Sequence, residues 1–234
     1  MIAQSHILQQ IQQNVNLQKK VFAVLIDPDK VKSEEVASTL NRLPEDTDFI
    51  LVGGSCVENL KTDVVVKAIK ALIDLPVILF PGNVNQITSK ADAILFLSLM
   101  SGDNPEYLIH QQVKSIKFLK QSTLEIMPTG YILIDGGKTT AVEKISKTQA
   151  IPQTEINQIV NIALAAQYSG KQLIYLEAGS GARFPVKPEI IKAVKQQIDL
   201  PLIVGGGIKT EKQRQMVYEA GADIVVMGTV FEEI

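Results

Sequence analysis

The chain has 234 residues, of which 46% are hydrophobic and 21% charged, and its formal net charge is −2. This length suffices for one core, so we expect a single domain over residues 1–234. The scattered lysines and arginines argue against nucleic acid as a partner, and no apolar run reaches the ~18 residues of a membrane span, which argues against stable membrane insertion. The lone cysteine, Cys56, excludes an internal disulfide and favours the cytoplasm.

Eight short apolar runs follow one another along the chain and are predicted to be β-strands. Most are continuously apolar, which is typical of parallel strands that are covered on both faces. They span Val21–Ile26, Phe49–Val52, Val77–Phe80, Ala93–Ser98, Tyr131–Ile134, Leu173–Glu177, Leu202–Val204 and Ile224–Met227. Their spacing, roughly 29 residues, fits one βα unit each, which predicts an α/β fold of the (β/α)₈ TIM-barrel type.

Capping residues mark several of the intervening helices. Asn104 followed by Pro105 predicts a helix start, Gly170 a helix end, and Thr210 with Gln213 has the spacing of a capping box. Two segments lack such a pattern. Residues 83–90 are too few for a full third barrel helix, and residues 136–153 are predicted to be a long loop over the catalytic face.

The first strand leads into Asp27, Pro28 and Asp29. A carboxylate at the C-terminal end of a barrel strand lies on the face where barrel enzymes carry out catalysis. Mg²⁺ is commonly bound by one or two carboxylates, with water and substrate phosphates completing its shell. We therefore predict that Asp27 contacts a metal or substrate, with Asp29 as a lesser candidate. The alternative is that either aspartate only caps a turn.

The second strand ends in Gly53, Gly54 and Ser55. The two glycines allow a tight turn that would leave the Ser55 hydroxyl facing the barrel mouth, where it could share a cation with Asp27. Ser55 could also be the N-cap of a helix that starts near Val57, and both roles can hold together.

Glycine-rich turns follow the last three strands and predict a phosphate site at the C-terminal ends of strands 6–8. Such turns bring backbone N–H groups close to an anion, and phosphate sites of barrels recur at this position. The turns contain Gly179, Ser180, Gly181, Gly205, Gly206, Gly207, Gly228 and Thr229. We therefore expect a small phosphorylated substrate.

Glu177 ends the sixth strand, where a buried carboxylate needs a partner. With the glycine turn directly after it, a substrate hydroxyl is the natural candidate. Tyr175 points to the same side by strand alternation and offers an aromatic face and a hydroxyl to the same cavity. The alternative for Tyr175 is core packing.

Taken in order, these motifs resemble the geranylgeranylglyceryl phosphate synthase family, which includes the bacterial heptaprenylglyceryl phosphate synthases. No single motif is specific, but the ordered set is. The form of the sixth-strand motif, Tyr175-Leu-Glu-Ala-Gly-Ser-Gly-Ala182, resembles the archaeal-type subgroup that also occurs in some bacteria. The matching residues are Asp27-Pro-Asp-Lys30, Gly53-Gly-Ser55, Tyr175-Leu-Glu177 with Ser180-Gly181, Gly205-Gly-Gly-Ile208, and Gly228-Thr229.

The resemblance implies a modified barrel with an irregular third helix and a transferase of lipid biosynthesis. It would join sn-glycerol 1-phosphate to a prenyl diphosphate, with geranylgeranyl diphosphate expected, and release pyrophosphate. It implies Mg²⁺ held by Asp27 and Ser55, and Glu177, Tyr175 and Asp27 as catalytic residues. The glycerol phosphate would be bound by Tyr175, Leu176, Glu177, Ala178, Gly179, Ser180, Gly181, Gly206, Gly207, Gly228 and Thr229.

Other features of the family are only partly matched. Some relatives carry a lysine two residues before the metal-binding aspartate, where this chain has Leu25, so the basic partner of the diphosphate is unassigned. The resemblance implies a homodimer or homohexamer. The prenyl chain length that the protein accepts depends on groove depth, which side-chain packing sets and the sequence does not give. Candidates for lining an apolar groove, or for ordinary core packing, are Phe80, Leu97, Leu99 and Met100.

Two other classes of function remain open. A phosphosugar isomerase or lyase could use the same phosphate site, with Asp27 and Asp135 as an acid/base pair across the barrel. A flavin-binding module could hold the phosphate of FMN in similar glycine turns. Fold alone does not exclude either, because barrels host many chemistries.

Overall fold

The computed structural model describes residues 6–55, 57–58 and 60–228. Eight parallel strands form a closed barrel in chain order, with the first strand paired to the last, so the predicted fold class is confirmed. The strands are β1 (Val21–Ile26), β2 (Phe49–Val52), β3 (Val77–Leu79), β4 (Ala93–Leu99), β5 (Glu125–Leu133), β6 (Leu173–Glu177), β7 (Leu202–Gly205) and β8 (Ile224–Met227).

Seven strands end within one residue of their predicted bounds, and β5 is the exception. It was predicted at Tyr131–Ile134 but begins at Glu125. Pro128 and Gly130 interrupt the pattern there, and both residues are poor strand formers. The strand forms nevertheless because β4 pairs with it along its length, from Ala93↔Glu125 to Leu99↔Tyr131.

Helices surround the barrel. They are α1 (Ile7–Asn16), α2 (Val36–Leu40), α3 (Lys61–Lys70), α4 (Gln111–Leu119), α5 (Ala141–Ser146), α6 (Ile156–Tyr168), α7 (Pro188–Lys195) and α8 (Glu211–Glu219). Short helical turns precede α2 and α4, at Ser33–Glu35 and Glu106–His110. Between β3 and β4 only the 3₁₀ turn Val84–Gln86 forms, as the irregular third unit predicted.

The predicted helix signals are mostly confirmed. The Asn104 side chain accepts a hydrogen bond from the Glu106 N–H at 3.0 Å, and Gly170 ends α6 with φ +86°. Thr210 accepts from the N–H of Gln213 at 3.2 Å at the start of α8.

Two predictions about helices are wrong. Residues 136–153 are not one long loop, since α5 forms within them and begins with a capping box between Thr140 and Glu143. The threonine–glutamate spacing signalled this helix, but α5 is too short for a periodicity to show. Ser55 is not the N-cap of a helix near Val57, because α3 begins only at Lys61.

Helix α1, which the sequence analysis did not predict, closes the N-terminal end of the barrel. Ile7, Leu8 and Ile11 are buried in the same apolar cluster as the inward side chains of the strands. The Glu125 carboxylate at the start of β5 accepts the N–H groups of Ile7 at 2.7 Å and Leu8 at 2.8 Å. Because this end is filled, open space lies at the other end of the strands.

Candidate active site

A cavity of about 530 Å³ lies at the C-terminal ends of the strands, and the segments after the strands line it. The fold thus brings most of the predicted site residues together, although they are spread over 200 positions of the chain. Those that line the cavity are Asp27, Ser55, Tyr175, Glu177, Gly179, Ser180, Gly181, Gly206, Gly207 and Gly228. Their individual roles stay predictions.

Three predicted site residues have a different setting. The side chains of Leu176 and Ala178 are fully buried in the apolar layer between strands and helices, so they could reach a ligand only through their backbones. The Ala178 N–H is already bound to the Gly205 carbonyl at 3.0 Å. Thr229, like Cys56, lies outside the residues that the structure describes.

Asp27 and Ser55 form one wall of the cavity, at the ends of β1 and β2. An Asp27 carboxylate oxygen, Oδ1, accepts the Asp29 N–H at 3.0 Å, and a Cβ added to Gly54 would lie only 2.8 Å from that oxygen. The absence of a side chain at Gly54 therefore lets the two strand ends approach each other. Asp29 does not line the cavity and instead forms an ion pair with Lys61 at 3.1 Å.

The Asp27–Ser55 wall has donors of the kind that Mg²⁺ accepts. Within residues 6–55, 57–58 and 60–228, no three His, Cys, Asp or Glu side chains cluster in a way that could hold a metal. A cation here would therefore take the Asp27 carboxylate and the Ser55 hydroxyl from the protein and its other ligands from water or a phosphate. That sparse set suits Mg²⁺, which keeps several waters.

Glu177 lies on another arc of the barrel mouth and is only 5% exposed. Burial raises the pKa of its carboxyl from 4.5 to about 7, although the Gly179 N–H, which donates to Oε1 at 2.6 Å, works in the opposite direction. Gly206 (φ +83°) touches the same turn: a Cβ there would clash with Glu177 Oε1 and lie 2.5 Å from the Gly179 nitrogen. The β6 and β7 turns are therefore in direct backbone contact around this carboxyl.

Tyr175 joins two other aromatic rings in the floor of the cavity. Its ring stacks on Phe80 with centroids 5.2 Å apart, and Tyr131 is tilted against both rings. The buried Tyr175 hydroxyl lies near Glu177 and opposes the rise in the pKa of that carboxyl, yet no described residue accepts a well-formed hydrogen bond from it. An unsatisfied buried hydroxyl beside a buried carboxyl is where a polar substrate group would be bound.

The sequence analysis missed some cavity residues. Tyr131 is paired in register with Tyr175 across β5 and β6, so the order of the strands could have indicated it. Four lysines also line the mouth, namely Lys30, Lys138, Lys144 and Lys209. They are candidates for the basic partner of a diphosphate. Lys30 belongs to the motif after the first strand and Lys209 follows the Gly205–Gly207 turn, but the sequence analysis gave neither a role.

The proposed pairing of Asp27 with Asp135 is not found. Asp135 is exposed, does not line the cavity and accepts the Gly137 N–H at 2.7 Å. The acid/base pair on which the isomerase alternative depended is therefore absent, because Asp135 lies beyond the end of β5 and is exposed to solvent.

Glu177 should make both stability and activity depend on pH near neutrality. The pKa of Glu177 is about 7 in the folded protein and 4.5 ordinarily, so its protonated carboxyl contributes to the free energy of unfolding. This contribution is complete below about pH 4.5 and is lost as the pH rises through about 7. Glu177→Gln, which cannot ionise, should remove this loss in a series of thermal melts.

If Glu177 accepts a proton in catalysis, kcat/KM of the parent should rise with an apparent pKa near 7, and the variant should lose turnover. If the parent and Glu177→Gln show the same dependence of melting temperature on pH across this range, the raised pKa is not that of Glu177.

The fold and its cavity define a (β/α)₈-barrel protein with its site at the C-terminal face of the barrel. A profile described as the PcrB family matches residues 14–234, and the chain belongs to that family. It is 53% identical over 216 residues to the geranylgeranylglyceryl phosphate synthase of Zunongwangia profunda, covering 92% of each chain. The identity to the synthase of Thermococcus kodakarensis is 45% over 218 residues, covering 92% of this chain and 85% of the relative.

One solved structure is similar to this protein over nearly its whole length. It is the (S)-3-O-geranylgeranylglyceryl phosphate synthase of Thermoplasma acidophilum in complex with sn-glycerol 1-phosphate, with a TM-score of 0.89 and 37% identity. The alignment covers 97% of this chain and 92% of that one. In the part of the chain that the structure describes, no helix has the length and apolar character needed to cross a bilayer.

Proposed function

We propose that this protein is a prenyltransferase that joins sn-glycerol 1-phosphate to a long prenyl diphosphate, giving a prenylglyceryl phosphate ether and pyrophosphate. One observation carries the proposal: a single cavity holds the Asp27–Ser55 wall on one arc and buried Glu177 with its glycine turns on another. The relatives that match over 92% of the chain, and the similar structure with bound glycerol phosphate, support the same substrate pair.

The glycine turns after β6, β7 and β8 are proposed to bind the glycerol phosphate. Gly179, Gly181 and Gly206 line the cavity and have positive φ, a conformation that is common in turns whose backbone N–H groups bind anions. Glu177 would then accept a hydrogen bond from the attacking hydroxyl and take its proton. Its raised pKa makes it a stronger base than an ordinary carboxylate, and the fixed substrate orientation lowers the barrier further.

The diphosphate is proposed to lie against Asp27 and Ser55 together with Mg²⁺. When bound, the ion would neutralise the charge that develops on the leaving pyrophosphate. The chain's own contribution is the Asp27 carboxylate, which the close approach of Gly54 holds at the cavity edge, and nearby Lys30.

The prenyl tail is proposed to leave the barrel mouth between β3 and β4. Phe80, Leu97 and Leu99, for which the sequence analysis left groove lining and core packing open, line the cavity there, whereas Met100 packs in the outer layer. Because the segment after β3 forms only one 3₁₀ turn, outward-facing Phe96 also reaches the cavity. The rings of Phe80, Tyr131 and Tyr175 would face the reacting end of the tail, where developing positive charge favours an aromatic face.

A homodimer or homohexamer in the cytoplasm completes the proposal. Helix α4 and the turn before it expose Ile109, Val113 and Ile116 at the spacing of one helix face, which supports association through this surface. Light scattering coupled to size-exclusion chromatography would measure the assembly.

The decisive experiment incubates the protein with labelled sn-glycerol 1-phosphate and prenyl diphosphates of graded length, with and without a metal chelator. We expect a prenylglyceryl phosphate ether that forms only with Mg²⁺, and the preferred length identifies the substrate. Absence of ether product from every prenyl diphosphate would refute the proposal. A parallel incubation with phosphosugars tests the alternative, and turnover that persists in chelator would favour the isomerase or lyase class.

A further inference from the structure

Gln86 is a buried amide in the short segment that replaces the third barrel helix, and it is only 1% exposed. Its Nε2 donates to the Gly54 carbonyl at 2.7 Å, and its Oε1 accepts the Gly54 N–H at 3.3 Å. One side-chain amide thus binds both backbone groups of a single residue, much as a paired strand does. Since β2 ends at Val52, Gln86 extends the pairing of this chain segment beyond the strand.

Gly54 is also the point where the β2 turn meets Asp27. A Cβ at Gly54 would lie 2.8 Å from Asp27 Oδ1, and a Cβ at Gly82 would lie 2.5 Å from the Gly54 carbonyl and 2.8 Å from that of Ser55. The Gly54 backbone is therefore enclosed between Asp27 and the Gly82 turn. A shift of this backbone would change how the Asp27 carboxylate and the Ser55 hydroxyl are placed relative to each other.

We propose that Gln86 is a positioning residue that holds the β2 turn so that Asp27 and Ser55 form a working diphosphate and Mg²⁺ wall. The inference rests on the proposed prenyltransferase function. It explains why an uncharged polar side chain is buried in an irregular segment in which Asn83 and Asn85 are not. It also predicts selectivity, because the glycerol phosphate turns contact each other through Glu177, Gly179 and Gly206 and not through Gln86.

The variant Gln86→Leu keeps most of the side-chain volume but leaves the Gly54 N–H and carbonyl without partners. An unsatisfied buried backbone group is costly, so the β2 turn should shift to find new partners. We expect kcat/KM for the prenyl diphosphate to fall by about 10²-fold, since displacements near 1 Å have effects of this size, and more Mg²⁺ to be needed for half-maximal rate. Gln86→Asn, which keeps an amide on a shorter stem, should show the same pattern more weakly and serves if the leucine variant does not fold.

Gln153→Leu is the matched control. Gln153 is also buried and binds only backbone, through the carbonyls of Asp135 and Pro185 and the Lys187 N–H, but it does not line the cavity. Calorimetry would measure binding of sn-glycerol 1-phosphate alone, and of prenyl diphosphate with and without Mg²⁺, to the parent and each variant. Thermal melts would report the stability that each substitution removes.

The inference predicts that both leucine variants melt earlier, that all variants bind glycerol phosphate like the parent, and that only the Gln86 variants lose Mg²⁺-dependent binding of the diphosphate. The inference is overturned if the Gln153 variant loses binding of the diphosphate as the Gln86 variants do, and if the loss in each variant only follows its loss of stability. A parent protein that forms no ether product would instead refute the proposed function, so the two failures can be told apart.

Discussion

Asp27→Asn should lower kcat by about 10²-fold or more while leaving the affinity for sn-glycerol 1-phosphate close to that of the parent. The substitution removes a negative charge from the proposed diphosphate wall but keeps the size of the side chain. The glycerol phosphate turns lie on another arc of the barrel mouth and lose nothing. Steady-state kinetics with each substrate varied, combined with calorimetry of glycerol phosphate binding, separates the two effects.

Asp29→Asn is the matched control for this prediction. It makes the same chemical change two residues away, but Asp29 is paired with Lys61 outside the cavity, so its loss should leave kcat nearly unchanged. Ser55→Ala should fall between the two, because water can replace a neutral hydroxyl as a metal ligand. Full activity of the Asp27 variant at saturating Mg²⁺, or greater damage from Ser55→Ala, would show that the ligands are wrongly ranked.

Gly206→Val should raise the KM for sn-glycerol 1-phosphate by about 10²-fold or more. Gly206 has φ +83°, and any Cβ there would clash with Glu177 Oε1 and lie 2.5 Å from the Gly179 nitrogen, a backbone atom that cannot rotate away. The β6 turn must therefore move, and with it the N–H groups proposed to bind the phosphate. Gly206→Ala carries the same Cβ and should act in the same direction if the valine variant folds poorly.

Gly170 is the control that separates the cost of a positive φ from the displacement of the β6 turn. Its φ of +86° resembles that of Gly206, but nothing lies within 4 Å of an added Cβ, so Gly170→Ala has the conformational cost without the clash. We expect the alanine variants of both glycines to melt earlier, at a cost of roughly 1–3 kcal/mol for the positive φ, with KM raised only for Gly206. Wild-type glycerol phosphate binding by a folded Gly206 variant would mean that the glycine turns are structural.

Much of this protein could be predicted from local sequence because its signals are local. Continuous apolar runs determine the strands, since each buries both faces, and their regular spacing determines the barrel. Asp27, Ser55, Glu177 and Gly206 could be identified as site candidates because, in a parallel barrel, residues at or just beyond the C-terminal ends of the strands share one face. The missing third helix was likewise predictable, because the residues between β3 and β4 are too few to form one.

Only the tertiary structure decided which of these candidate residues lie together in the cavity. Asp29 has the same chemistry as Asp27, yet its ion pair with Lys61 takes it out of the cavity, and Asp135 turns outward. Three other features depend on partners that are distant in sequence. They are the extension of β5 through Pro128, the raised pKa of Glu177 and the hydrogen bonds between Gln86 and Gly54. Sequence patterns report what a residue favours locally, whereas pairing, desolvation and buried hydrogen bonds are decided by which segments the closed barrel brings together.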